Sequence, residues 1–146
     1  MEKLTERQAW MEILAKSSVT DIEQQMKTLG KLPSYSFLRQ PEIGLTMVRG
    51  RAGGTGEVFN LGEMTITRCV IKILNTTGFG YVGGRSKRHA ELAAVCDGLL
   101  QQEKWQKIVN TQVIQPLATI IQQKKDKQQR QTEATKVEFF TMLRGE

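Results

Sequence analysis

Apolar positions recur along this chain with more than one period, and each period predicts a different element. Near the start, Val19, Ile22, Met26 and Leu29 repeat at three and four residues, which places them on one helical face. Thr5-x-x-Gln8 and Thr20-x-x-Glu23 have the capping-box form, in which side chains satisfy free N–H groups at a helix start. Ser17-Ser18 breaks the first helix, and Gly30 followed by Pro33 ends the second. Residues 5–30 therefore read as a helical hairpin. A DNA-reading pair would need donors at the start of its second helix, where only Lys27, near the end, is basic.

From Tyr35 to Tyr81 the period falls to two. Ile43, Leu45 and Met47 alternate with Gly44, Thr46 and Val48, the pattern of a half-buried strand. Met64 to Leu74 is rich in β-branched residues, with Cys69, Ile71 and Ile73 on one side and Arg68 and Lys72 on the other. Asn75-Thr76-Thr77-Gly78 is a turn signal, so Phe79 to Val82 should return antiparallel. The result is a meander of three or four strands with one wet face.

After Ser86 the pattern is helical to the end. Leu92, Val95, Cys96 and Leu99 form one apolar stripe, and Trp105, Ile108, Val109, Val113, Leu117, Ile120 and Ile121 form another, which Pro116 should kink. Residues 122–136 have almost no apolar side chain, yet Val137, Phe139, Phe140 and Leu143 restore hydrophobicity beyond them. A greasy end on a polar arm is a docking signal. The expected fold class is α+β: a helical hairpin, an antiparallel meander and long C-terminal helices. It forms one domain over 1–146, with 122–146 as a partner-docking arm.

Composition narrows the function classes. The chain of 146 residues is 39% hydrophobic and 25% charged, with a net charge of +6. The basic residues are spread and interleaved with acids, and no aromatic box for base stacking is present, so nucleic acid is not favoured as a partner. No apolar run reaches about 18 residues, and the first ten residues lack the layout of a secretory signal. Cys69 and Cys96 make neither a disulfide framework nor a metal-ligand spacing. A cytoplasmic protein with free buried thiols, no membrane association and no metal is expected.

Two glycine clusters hold the candidate chemistry. Gly78, Gly80 and Gly83 match G-x-G-x-x-G, but a dinucleotide-binding unit needs a parallel strand after the helix, about thirty residues on, and no β-rich segment follows residue 86. The chemistry lies just beyond. Ser86 is an expected N-cap that puts Lys87, Arg88 and His89 in the first turn, beside Gly84 and Arg85. Cations there oppose the helix dipole, whereas an anion would meet both free N–H groups and positive charge. The alternative is that they splay into water, with Glu91 compensating one turn on. The second cluster joins two strands: Gly53, Gly54, Thr55 and Gly56, flanked by Arg51 and Glu57. It lacks a P-loop's Gly-Lys-Ser/Thr, and either builds a bulged hairpin or bares backbone N–H groups to a phosphate or partner. His89 and Glu57 are candidates to which no catalytic role can be assigned. The chain shows no self-sufficient active site.

At these clusters the sequence resembles the G-subunit family of the carbon–phosphorus lyase system, the bacterial machinery of phosphonate degradation. Three blocks carry the resemblance: Gly53-Gly-Thr-Gly-Glu57 followed by a strand with Ile-Thr-Arg68; Gly84-Arg85-x-Lys87-x-His89-Ala-Glu91; and Val137-Glu-Phe-Phe-Thr-Met-Leu-Arg-Gly145. Trp10-Met11 and Pro116 also fit, while Ser86 stands where the family is expected to carry Asp. The resemblance implies an accessory subunit that assembles with H, I and J subunits and associated ATPase-like subunits. It implies a complex that displaces adenine from ATP by an alkylphosphonate, with ATP as substrate and no cofactor held by this chain alone. Arg51, Arg68, Arg85, Lys87 and Arg88 would then bind or orient phosphate or phosphonate. A pure scaffold, or a small nucleic-acid-binding regulator, are the alternatives.

Overall fold

A computed structural model describes residues 2–51 and 58–144, with the side chains of residues 6–47, 49 and 62–134. The elements run α1 (Glu2–Lys16), α2 (Val19–Lys27), β1 (Tyr35–Arg51), β2 (Val58–Ile73), β3 (Thr76–Gly83), α3 (Lys87–Leu100), α4 (Glu103–Val109), a π-helical turn (Asn110–Ile114) and α5 (Gln115–Arg144). The α+β expectation holds: one antiparallel sheet of order β1-β2-β3 lies against the helices.

The helical hairpin forms where the periodicity puts it, but its caps differ. Ser18, not Thr20, caps α2: its extended backbone lets its hydroxyl accept from the Asp21 N–H at 3.1 Å. Thr5 lies inside α1 rather than before it. On α2, Ile22 and Met26 are buried, with Val19 and Leu29 packed at the margin. Gly30 adopts φ +76 and ends the segment.

In the sheet, β2 is central. It turns into β3 through Leu74 and Asn75, so Ile73 pairs with Thr76; Leu74 takes the left-handed φ of 53 there. Cys69, Ile71 and Ile73 face the core as the alternation requires, with Thr67 on the same side. Ile43, Leu45 and Met47 do not fit the half-buried expectation. Their register partners are Thr67, Thr65 and Glu63, so they share the core-facing side of the sheet, yet they lie beyond the reach of the helices. Leu45 is 67% exposed, Met47 52% and Ile43 46%.

The α3 helix departs from a one-sided stripe in the other direction: Leu92 through Leu100 are all buried. Its sheet side is met by β3 at unusually close range. A Cβ built on Gly80 would overlap the carbonyl oxygen of Ala90, and one on Gly78 that of Ala94. Gly78 and Gly80 of the G-x-G-x-x-G match thus serve strand-to-helix contact, whereas Gly83 lies against the Met64 side chain. The other side of α3 is covered by Trp10 and Leu14 of α1, Ile22 and Met26 of α2, and the Val109–Leu117 region, in one contiguous apolar cluster. Cys69 and Cys96 are free and fully buried; burial pushes their thiols up to about 11 and about 12.

The expected interruption at Pro116 takes the form of a widened turn. Pro116 has no N–H, and in a regular helix its ring would press on the carbonyl four residues back. The π-helical turn immediately precedes it, with the Gln115 N–H bonding the Asn110 carbonyl. Val109, Val113 and Leu117 keep facing the core through it, while Ile108 is exposed. From Gln122 to Ala134 α5 is exposed throughout. Lys124 reaches Asp21 of α2 at 3.4 Å.

Candidate functional site

The start of α3 is built from three chain segments. The Gly84 N–H donates to the Thr65 carbonyl at 2.9 Å, and the Thr67 hydroxyl donates to the Gly84 carbonyl at 2.7 Å. Gly84 makes this bend with φ +94. Ser86 then caps the helix as expected, its hydroxyl accepting from the His89 N–H at 3.1 Å. The first turn contains no acid.

The residues at this helix start divide into two groups. Arg88, His89 and Glu91 are engaged within the fold. The Arg88 guanidinium lies 3.1 Å from Glu23 and 3.5 Å from Glu91, and the bond to Glu23 is the main cause of its raised pKa. His89 is buried, with Nε2 2.8 Å from the Leu14 carbonyl. That contact ties α3 to the end of α1 and engages one of the two ring nitrogens. Glu91 accepts from the Tyr35 hydroxyl; burial, then this bond, pushes Tyr35 up to about 12. Arg85 and Lys87 form the second group. Both are exposed, and among the described residues neither makes an ion pair. The solvated alternative thus describes these two, and the compensation by Glu91 applies to Arg88 alone.

The remaining candidates lie elsewhere. Arg68 alternates with the buried Thr67 and Cys69, so it is exposed on the sheet face away from α3, opposite Glu42 and Tyr81 in register. Arg51 ends β1, but its side chain lies outside the described residues, as do Gly53, Gly54, Thr55, Gly56 and Glu57. Val137, Phe139, Phe140 and Leu143 fall within α5, with side chains outside the described set. A cleft of about 380 Å³ beside Arg88 is lined by Glu23, Lys27, Tyr35 and Leu92. Another, of about 500 Å³, runs between α1 and the π-helical turn past Trp10, Glu103, Lys107 and Asn110. Neither holds a nucleophile paired with a base. Among the described residues no His, Cys, Asp or Glu cluster could hold a metal ion, and no helix is long and apolar enough to cross a membrane.

Sequence reasoning missed the centre of the polar structure. Asp97 is fully buried, and its carboxylate accepts from α1, from β3 and from the turn after α3. The donors are Arg7 through Nε and a terminal nitrogen at 3.2 and 2.9 Å, the Trp10 indole at 2.8 Å, the Phe79 N–H at 2.9 Å and the Gln101 amide at 3.3 Å. Arg7 also stacks over Phe79, 5.5 Å from its ring centre. The carboxylate locks α1, α3 and β3 together.

The uncovered apolar strand row and the exposed Arg85 and Lys87 suit a component of a larger assembly. The comparison with known proteins agrees. A family model described as "Phosphonate metabolism protein PhnG" matches residues 5–145. The chain belongs to this family. A relative from Rhizobium meliloti (strain 1021) is 35% identical over 144 residues, covering 98% of this chain and 92% of that protein. Its name is alpha-D-ribose 1-methylphosphonate 5-triphosphate synthase subunit PhnG. The match extends through the α3 start, the hairpin tip and the C-terminal segment of this PhnG-family chain, the three blocks that carry the resemblance.

Proposed function

We propose that this chain is an accessory subunit of a multi-subunit synthase of phosphonate catabolism. With H, I and J subunits and associated ATPase-like subunits, it supports transfer of the ribose triphosphate of ATP to an alkylphosphonate, with release of adenine. The chain binds no cofactor alone; ATP is a substrate of the assembly. The observation that carries this reading is similarity along 98% of the chain to a relative named as a synthase subunit. The absence of a nucleophile–base pair from the described clefts supports an accessory role.

Within that function, Arg85 and Lys87 orient the phosphates of a substrate held by a partner subunit. They make no ion pair among the described residues, they flank a helix start without an acid, and an anion there would relieve their opposition to the helix dipole. The C-terminal segment around Val137, Phe139, Phe140 and Leu143 docks on a partner. A pure scaffold is the second reading, favoured by the internal engagement of Arg88, His89 and Glu91.

One double variant separates the two. Arg85→Gln with Lys87→Gln should leave the assembly intact and lower its turnover of ATP and methylphosphonate by about tenfold or more, the scale of one to two lost charge contacts. Unchanged turnover by an intact assembly would remove the phosphate-orienting role. Reduced co-purification with normal turnover per assembled complex would favour the scaffold.

A further inference from the structure

Beyond Thr65 the β1–β2 hairpin outruns the other described elements. The last residue of β3, Gly83, pairs with Ile66, and Gly84 bonds Thr65. From there to the tip, β1 and β2 continue as a two-stranded arm paired through Arg51 and Val58. Isolated two-stranded ribbons are marginal in water, and this one holds Leu45 and Met47 in the open on one face. Ile43 extends that row at its base, and Met64, 45% exposed, lies on the opposite face of the arm. The outer edge of β1 pairs with no strand among the described residues.

We infer that this arm is a docking element, clasped on both faces by an apolar groove with an acidic rim on another subunit of the assembly. This rests on the proposed function, which supplies such a partner. Area argues against a second copy of the chain as occupant. Strand rise and spacing make the free arm about 25 Å long and about 10 Å wide, so one face offers about 250 Å², well below the roughly 800 Å² per partner of a stable interface. Two copies meeting face to face on the Ile43–Met47 row therefore bury too little. A groove closing on both faces and along the free β1 edge takes about 750 Å² and falls within the usual range around that value.

Charge sets the chemistry of the rim. Counted over both faces, the exposed charges of the arm and its root are Arg39, Arg49, Arg68, Arg85 and Lys87 against Glu42 and Glu63, with Arg39, Glu42 and Arg68 on the face opposite the row. A rim that complements this net positive set, clasping both faces, is acidic. The arm also explains how a chain without its own reaction centre reaches one. Leu45 pairs with Thr65, which bonds Gly84, so a groove holding Leu45 lies next to Arg85 and Lys87. Docking would carry those cations to the partner.

The test uses the full chain co-expressed with the other subunits of the synthase. Ile43→Thr, Leu45→Lys and Met47→Thr replace exposed side chains, with residues that strands or their edges accept. The triple variant should keep the thermal midpoint of the isolated wild-type chain yet recover about tenfold less of the partner subunits, the loss expected when a desolvated apolar anchor is removed. A photo-crosslinking residue at position 45 in the otherwise unchanged chain should join one identified synthase subunit. Equal recovery of partners with the triple variant would overturn the docking role of the arm alone. Crosslinking only to a second copy would overturn the choice of partner. Wild-type chain that recovers no synthase subunit would overturn the proposed function itself.

Discussion

Asp97→Ala should destabilise the isolated chain by about 3–5 kcal/mol, the cost of breaking a buried, hydrogen-bonded charge pair. The carboxylate is fully buried, and its removal leaves the Trp10 indole N–H and the Phe79 N–H without their partner. An unsatisfied buried donor costs about 1–3 kcal/mol, so these two alone approach the total. Arg7 adds less, because it is 30% exposed and can turn to water. Against a usual domain stability of about 5–15 kcal/mol, the loss removes a third or more of what holds the chain folded. Urea unfolding followed by tryptophan fluorescence measures it through the shift of the midpoint at constant slope. A change below about 1 kcal/mol would mean that the carboxylate is not the lock between α1, α3 and β3.

The second large effect lies at Gly80. A methyl group there meets the backbone carbonyl of Ala90 rather than a flexible side-chain end. Relief therefore requires β3 and α3 to separate, opening contacts along an interface that includes Gly78 against Ala94. Overpacking usually costs about 1–3 kcal/mol; with backbone on both sides, Gly80→Ala should lie at or above the top of that range. The doubly substituted chain, Gly78→Ala with Gly80→Ala, should not fold. Gly44 supplies the control, since a Cβ there meets nothing within 4 Å. Gly44→Ala should stay within about 0.5 kcal/mol of wild type. Equal effects at positions 44 and 80 would contradict the close packing of strand on helix.

These two sites show what was legible in the sequence. The order of elements, the turn into β3, the N-cap at Ser86 and the break before Pro116 follow from local patterns, which depend on near neighbours. What depended on distant neighbours did not show. Nothing near Asp97 reveals that Arg7 and Trp10, about ninety positions earlier, will enclose it. The alternation of Ile43, Leu45 and Met47 correctly marked a strand with one apolar face. It could not say that the helices of the same chain would leave that row uncovered. At the α3 start, local pattern puts Gly84 through His89 around one N-cap, as found. Only tertiary contacts separate Arg88 and His89, which hold the fold, from Arg85 and Lys87, which are exposed and make no ion pair among the described residues.

As proposed, this chain is a necessary, non-catalytic subunit. The direct measurement is adenine release from ATP in the presence of methylphosphonate, by the partner subunits purified with and without this chain, and by the chain alone. The expected result is release by the full set, at least about tenfold less without this chain, and none from the chain by itself. Full activity in its absence, or adenine release by the isolated chain, would contradict that role.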